Sequence, residues 1–286
     1  MLVRGVITTI AFAALLASSG PGQAFDDAKY PDLSGRWLVV RPRVGGQFPF
    51  DPLKPWGKGQ EAPLTAEYEA VHDASLADQA NGGQGNWVSG ERCMAAGMPA
   101  MMNGYGDLEI VVLPEATHVL ISHNYNVHRR IHTDGRDWPS EVEPSYRGYS
   151  IGKWIDEDGD GKYDVLAVET RHFKGPRALD PTGLPTHADN QSIVKERIYL
   201  DRDDPALFHD EVTLIDRAFT RPWTVLKTFR RFPAQYPNWN DEPCPAVTRL
   251  VKIGNELYFK GADDKLMPTR KDQSPPDLRY FRQSKK

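Results

Sequence analysis

The chain has 286 residues, of which 40% are hydrophobic and 26% are charged, a composition that is ordinary for a globular protein with an apolar core. Its length suits one large β or α/β domain. The formal net charge is −4 and the basic residues form no stripe, which argues against nucleic acid as the main partner.

The N-terminus has the layout of a secretory signal peptide. Arg4 precedes an apolar stretch from Val6 to Ala17, and small or turn-forming residues follow up to Ala24. A membrane anchor is the alternative, but the apolar run is shorter than the span of about 20 residues that a bilayer requires. We therefore predict that residues 1–24 are a cleaved signal peptide, that no later segment spans a membrane, and that the mature protein is periplasmic or secreted.

Residues 25–106 form an irregular segment rich in proline and glycine, which we expect to pack on the main domain. The sequence predicts one strand and one helix here, in the runs SGRWLVVRPR and PLTAEYEAVHDASLADQA. Thr65 is a suitable N-cap for the helix, because its hydroxyl can accept a hydrogen bond from a free amide of the first turn.

The two cysteines are Cys93, in this segment, and Cys244, near the end of the main domain. An even number of cysteines in an oxidising compartment favours a disulfide, and two separate buried thiols are the alternative. The sequence around Cys93 shows neither a nucleophile elbow nor an adjacent base, which argues against a catalytic cysteine.

Residues 107–262 consist of short β-prone runs separated by turn signals. The runs are LEIVVLP, THVLISHNY, NVHRRIHT, SIGKWID, DVLAVETRHF, SIVKERIYLD, LFHDEVTLID and PWTVLKTFRRF. Tight connections predict an antiparallel meander, which avoids open edges by closing into a barrel or by folding into a sandwich. We therefore predict an all-β fold with one short helical insertion and a polar C-terminal tail at residues 263–286.

Histidines are concentrated on the second and third of these runs, where four of the eight lie between His118 and His132. Side chains alternate along a strand, so one face carries His128, Arg130 and His132. The other face carries Val127, Arg129 and Ile131. The histidine face could supply acid–base groups or bind an anion, or it could be the solvent face of a half-buried strand.

This face and its surroundings contain the catalytic candidates, which are His128, Arg130, His132 and Asp134. The ligand-binding candidates are His123, Arg136, His187, Trp154 and Trp223. Zinc is not favoured, because histidines at this spacing on a strand do not supply three converging ligands. No phosphate-binding or dinucleotide-binding glycine pattern occurs, and we expect no organic cofactor.

The loop DEDGDGKYD has the carboxylate spacing of a calcium-binding turn. Its candidate ligands are the side chains of Asp156, Asp158, Asp160 and Asp164 and the backbone carbonyl of Lys162. An EF-hand would need a glutamate at the twelfth position and flanking helices, whereas this loop has Ala167 there and lies between predicted strands. We predict a structural calcium ion in a hairpin, with a solvated acidic turn as the main alternative and catalysis by these carboxylates as a lesser one.

Eight segments in this order resemble a family of exported bacterial proteins that has no established activity. They are PDLSGRW, RCMAAGMPAMM, EIVV, RRIHTDGR, YRGYSIGKW, GLPTHADN, VKERI and TRPWTV. The resemblance implies a β-barrel, lipocalin-like domain with both cysteines at family positions, and it transfers no catalytic residue. Its members carry a short W-x-G-D-T hairpin in place of the acidic loop, which implies that the loop is separate from the shared function.

Two functions follow from these observations. The first is a periplasmic barrel that binds a small apolar or aromatic ligand, with a cavity lined by Met98, Met101, Met102, Trp154 and Trp223; ordinary core packing would also explain these residues. The second is a cofactor-independent lyase, isomerase or hydrolase that acts on a small aromatic or anionic substrate through the histidine face. An interaction or structural role in the cell envelope has no positive support in the sequence.

Overall fold

A computed structural model describes residues 25–40, 53–87, 96–103, 107–122, 127–175, 177–233, 239, 250–253, 256–259 and 265. Within these residues, nine strands form a closed barrel. They are β1 (Arg36–Val39), β2 (Leu108–Val112), β3 (Ala116–Ile121), β4 (His128–His132), β5 (Tyr149–Ile155), β6 (Val165–Arg171), β7 (Ile193–Leu200), β8 (Leu207–Ile215) and β9 (Trp223–Arg231). The predicted all-β fold is confirmed, as a barrel.

Each strand pairs with its neighbours in chain order, and β1 also pairs with β9, which closes the barrel. All pairs are antiparallel except β4 with β5, which run parallel. Parallel neighbours cannot be joined by a tight hairpin, so residues 133–148 carry the chain back from one end of the barrel to the other. We expected the segment 25–106 to pack on the barrel, and its strand β1 is itself one of the barrel strands.

Strict alternation of side chains builds the core. Strand β8 alternates buried and partly exposed residues along its length, which is the pattern of a strand with one face turned inward. Phe208 on β8 stacks on Phe229 of β9 with ring centroids 4.5 Å apart, and Trp37 of β1 meets Phe208 edge to face at 4.9 Å. The indole N–H of Trp37 donates to the carbonyl of Leu33 at 2.9 Å. This aromatic group therefore joins both sides of the closing seam.

The predicted helix is confirmed as α1 (Ala66–Ala80), with Thr65 as N-cap and its hydroxyl accepting the Tyr68 N–H at 3.4 Å. The helix docks on the β6–β7 connection, where Nε2 of His72 lies 3.0 Å from the Thr182 hydroxyl and the Ser75 hydroxyl donates to the Thr182 carbonyl at 3.1 Å. Burial lowers the pKa of His72. The helix thus covers the end of the barrel at which β6 joins β7.

A short buried segment lies beside this end. Met98, Met101 and Met102 are each at most 2% exposed, and the last two lie in a 3-10 turn over Ala100–Asn103. The guanidinium of Arg177 donates to the Met98 carbonyl at 3.1 Å and to the Ser192 hydroxyl at 2.6 Å. Burial lowers the pKa of Arg177 to about 10. This arginine therefore ties the methionine segment to the β6–β7 connection.

Several predictions concern residues outside the described ranges, among them the signal peptide at residues 1–24, Cys93, Cys244 and His123. They stay predictions. Strands β10 (Leu250–Ile253) and β11 (Glu256–Phe259) form a separate two-stranded sheet. In the described part of the chain, no helix has both the length and the apolar character that crossing a membrane requires.

Candidate functional site

Six polar side chains from six consecutive strands, β4 to β9, lie on the inner face of the barrel. Their cross-strand partners identify this face, because directly paired residues share one side of a sheet. Arg129 pairs with Val119, which is 0% exposed, and Glu196 pairs with the buried Val168 and Val212. We refer to the six as the interior charge cluster: Arg129, Ser150, Thr170, Glu196, Asp210 and Lys227.

The centre of the cluster is a buried ion pair. The Arg129 and Glu196 side chains are 1% and 0% exposed, and two parallel hydrogen bonds of 2.7 and 2.5 Å join the guanidinium to the carboxylate. Arg129 also donates to the hydroxyl of Thr170 at 2.8 Å and to that of Ser150 at 3.3 Å. Both charges therefore have partners, as charges in a low-dielectric interior require.

Asp210 is different, because it is buried without hydrogen bonds. It is 0% exposed, and neither of its carboxylate oxygens has a hydrogen-bond partner among the described residues. Its direct cross-strand neighbours are Ile198 on β7 and Lys227 on β9. Burial, together with the nearby Glu196 carboxylate, raises the pKa of Asp210 well above its ordinary value.

Lys227 is the basic counterpart of Asp210. Burial lowers the pKa of the Lys227 amine, and Asp210 acts in the opposite direction. The two shifts have opposite signs, so the pKa values of the acid and the amine are closer together than they would be in water. An acid and an amine thus lie opposite each other on the inner wall, and each can be a hydrogen-bond donor or acceptor according to where the proton is.

Other inward-facing residues also have unsatisfied polar atoms. The hydroxyl of Thr117 and the indole N–H groups of Trp154 and Trp223 are buried and have no partner in the described part of the chain. Buried polar groups in folded proteins are almost always hydrogen-bonded, to protein or to a bound molecule. Together with Asp210, these atoms give the inner wall both unsatisfied donors and unsatisfied acceptors. Trp154 and Trp223 were predicted as ligand-binding residues from the sequence, and the structure places both on the inner wall.

The predicted histidine face lies on the outside of the barrel. His128 and Arg130 are exposed, whereas Arg129 and Ile131 are buried and point inward. His132 is 9% exposed because the ring of Tyr149 stacks on it with centroids 4.8 Å apart. The structure therefore does not enclose His128 and Arg130 in a cavity, and the enzyme hypothesis gains no geometric support from this strand.

The other predicted site residues form local contacts. Asp134 accepts hydrogen bonds from the Arg136 guanidinium, including one of 2.8 Å from Nε, and this arginine lowers the pKa of the carboxyl. Burial and then the charge of Arg136 lower the pKa of His132. His187 lies in the β6–β7 connection, where its Nδ1 accepts the Asp189 backbone N–H at 3.1 Å.

In the acidic loop, Asp156, Asp158 and Asp164 place one carboxylate oxygen each within 4.8 Å of one another. The loop is also held by its own hydrogen bonds. Asp156 accepts the backbone N–H groups of Gly159 and Gly161 at 2.7 and 2.9 Å, and both glycines have positive φ angles of 80° and 90°. Asp160 accepts from the Lys162 N–H at 2.8 Å. These hydrogen bonds are those of an acidic turn that is held by its own backbone amides. Calcium binding by the loop stays a prediction.

An open groove of about 470 Å³ lies on the outer face of β5 to β8. Charged side chains flank it, but many of them pair with each other. Lys195 Nζ lies 3.6 Å from a Glu169 oxygen, and Arg197 donates to Glu157 at 2.7 Å. These charged side chains of the groove therefore already have ion-pair partners, whereas the interior contains polar atoms without hydrogen bonds.

The members of the interior charge cluster were not predicted as site residues, although the sequence contains a signal for four of them. Each of the four is a single charge at the centre of an otherwise apolar face with a period of two residues. The triplets are Val127-Arg129-Ile131, Val194-Glu196-Ile198, Phe208-Asp210-Val212 and Val225-Lys227-Phe229. Burial of a charge in such a position costs free energy unless the charge has an ion-pair or hydrogen-bond partner.

The fold and the site together define a closed β-barrel with a charged interior. Comparisons of the chain with protein-family models, curated proteins and solved structures found no match. The nine-stranded barrel agrees with the barrel that the sequence resemblance implies. Membership of that family of exported proteins stays a prediction.

Proposed function

We propose that this protein is an exported barrel that binds a small, largely apolar or aromatic molecule in its interior. One observation carries the proposal: Asp210 is fully buried on the inner wall, and both carboxylate oxygens are without hydrogen bonds among the described residues. Leaving such a group unsatisfied costs about 1–3 kcal/mol, and more when it is charged. A bound molecule with a suitable polar group would remove this cost.

The surroundings of Asp210 supply the apolar part of the proposed site. Ile198, Val212 and Val225 are its neighbours on the inner face of β7, β8 and β9. Ligand sites in proteins combine mostly apolar walls with a few polar groups that fix orientation. The inner wall of this barrel has that composition, with Trp154 and Trp223 as aromatic members.

Co-purification tests the binding function. The full-length protein is expressed with its own leader, purified under native conditions, and divided between native mass spectrometry and solvent extraction followed by liquid chromatography and mass spectrometry. The expected result is a small molecule that is present in the wild-type protein and depleted in Asp210→Asn. Recovery of the same molecule in equal amount from both proteins would contradict binding at Asp210.

Export is the second part of the proposal and rests on residues 1–24. The same preparation tests it, because cleavage after Ala24 gives a mature protein that begins at Phe25. Recovery of this species from the periplasm or the medium supports export. A protein that keeps residues 1–24 and stays in the cytoplasm would contradict it.

A further inference from the structure

The outer surface of β3 and β4 carries a group of basic side chains that the proposed interior site does not use. We infer that this group binds the phosphate of a small soluble phosphate monoester. We refer to it as the outer basic cluster, and its members are His118, His128, Arg130 and Arg147. The inference goes beyond the proposed binding function, because the cluster is on the outside of the barrel wall and Asp210 is on the inside.

Strand pairing brings three of the four side chains together. His118 on β3 is the direct cross-strand partner of Arg130 on β4, and the Cβ atoms of such partners are about 4.5–5.5 Å apart. His128 is two residues before Arg130 and therefore shares its face, and both residues are exposed. Arg130 thus has one imidazole beside it on the neighbouring strand and another along its own strand.

Arg147 joins the cluster from the connection between β4 and β5. Its guanidinium donates to the backbone carbonyl of His128 at 2.7 Å and lies 3.4 Å from Nδ1 of the same residue. A guanidinium has no acceptor, so Nδ1 is the acceptor in this contact and the proton of the neutral ring is on Nε2. Even as a neutral imidazole, His128 therefore presents an N–H donor beside two guanidinium groups.

The positive charges of the cluster repel each other. Arg130 has no ion-pair or hydrogen-bond partner among the described residues. Burial lowers the pKa of His118, and the charges of Arg130 and His128 lower it further. Like charges in this arrangement disfavour the protonated imidazole. An anion held at Arg130 would reverse this effect.

The carboxylates on the surrounding elements do not supply that anion. Asp134 accepts hydrogen bonds from Arg136, including one of 2.8 Å. Glu109 on β2 is separated from His128 by the whole width of β3. Glu115 is in the turn before β3, at the opposite end of the strand pair from His128. In the described part of the chain, none of these three carboxylates forms an ion pair with the cluster.

The number of donors and charges favours a phosphate over a carboxylate. The fork of a guanidinium donates two parallel hydrogen bonds to either group. A phosphate monoester has a charge of about −1.5 to −2 at neutral pH and three acceptor oxygens, so it can accept from His128 and Arg147 as well as from Arg130. A carboxylate has one charge and two oxygens. An anionic membrane is a poorer partner, because the chain has a net charge of −4 and would be repelled at long range.

Titration with inorganic phosphate tests the inference. The full-length, isotope-labelled protein is kept at neutral pH and low salt in a phosphate-free buffer, and NMR records the histidine ring signals. Those of His118 and His128 should shift saturably, with a dissociation constant on the order of 1 mM, because exposed ion pairs are individually weak. The signals of His187 and His209 should not move. Acetate should bind at least about 5-fold more weakly, because it carries a single charge.

Bound phosphate should also raise the pKa of His118, because a nearby anion favours the protonated ring. A pH titration of the His118 ring signal, with and without saturating phosphate, measures this shift. A purely local change in the surroundings of the ring would move the signal without moving its pKa.

Arg130→Met and Arg202→Met are the matched variants. Both arginines are exposed, and Arg202 lies in the turn between β7 and β8. Arg130→Met should weaken phosphate binding at least about 5-fold, because it removes the charge-assisted hydrogen bonds. Arg202→Met should leave the affinity unchanged.

Three results would overturn the inference. They are the absence of a saturable shift in the wild type, equal affinities of Arg130→Met and Arg202→Met, and acetate binding as tight as that of phosphate. Sedimentation of the protein with phosphatidic acid vesicles, while inorganic phosphate causes no shift, would also overturn it, because the partner would then be a membrane. None of these results bears on ligand binding inside the barrel, which the co-purification experiment tests separately.

Discussion

Replacement of Arg129 by methionine tests whether the charge cluster lies inside the barrel. The change removes both hydrogen bonds to Glu196 and those to Thr170 and Ser150. It leaves the Glu196 carboxylate, which is 0% exposed, without its counter-charge. Removal of one partner from a buried ion pair costs about 3–5 kcal/mol, and we expect a loss of this size in the free energy of unfolding.

Urea denaturation followed by tryptophan fluorescence measures this loss. Arg130→Met is the matched control, because Arg130 is the next residue on β4 and is exposed; its cost should stay within about 0.5 kcal/mol. The double variant Arg129→Met, Glu196→Leu should recover most of the stability, because an apolar pair can replace a buried ion pair at little cost. If Arg129→Met and Arg130→Met differ by less than about 1 kcal/mol, the assignment of Arg129 to the interior is refuted.

Three further predictions concern pH, calcium and the helix cap. Burial raises the pKa of Asp210 above its ordinary value of 3.8, so the folded protein keeps a proton that the unfolded chain releases. The free energy of unfolding of the wild type, relative to that of Asp210→Asn, should therefore fall as the pH rises above 3.8. Calcium should raise the melting temperature of the wild type over that in chelator, and Asp158→Ala should abolish the increase. Thr65→Ala should cost about 0.5–1 kcal/mol, at the low end for a cap, since the capping bond is 3.4 Å long.

Each of these predictions has a contrary result. Urea titrations at several pH values that show a constant gap between the wild type and Asp210→Asn would mean that the Asp210 carboxyl is solvated. Equal melting temperatures in calcium and in chelator, together with a neutral Asp158→Ala, would leave the loop as a plain acidic turn. Unchanged stability of Thr65→Ala in urea would show that the long hydrogen bond contributes nothing.

The strands could be predicted from the sequence because each strand is a local pattern. Seven of the nine barrel strands lie within the runs that β propensity and alternation predict, and β3 and β5 each begin one residue earlier. Thr65 is the N-cap of the helix, as its capping chemistry predicts. The parallel pairing of β4 with β5 could not be predicted, since the connection of residues 133–148 has no helix that would mark a crossover. Closure by β1 was also missed, because it depends on a partner strand at the far end of the chain.

The site was harder to predict than the fold, and β4 shows why. Its two faces carry His128, Arg130 and His132 on one side and Arg129 between apolar residues on the other. The histidines are the more reactive groups by residue type, but they lie on the outer face. The apolar residues Val127 and Ile131 on the same face favour an inward direction for Arg129. Its role in a buried ion pair can be recognised only together with Glu196, which is 67 residues away in sequence. Long-range pairing of this kind has no local signature.

A crystal structure of the protein with the molecule that co-purifies with it tests binding inside the barrel most directly. Our account predicts electron density for that molecule on the inner wall, with one of its polar groups within hydrogen-bonding distance of Asp210. Density confined to the outer groove over Ala167 and Glu211, with the interior filled by protein side chains alone, would contradict it.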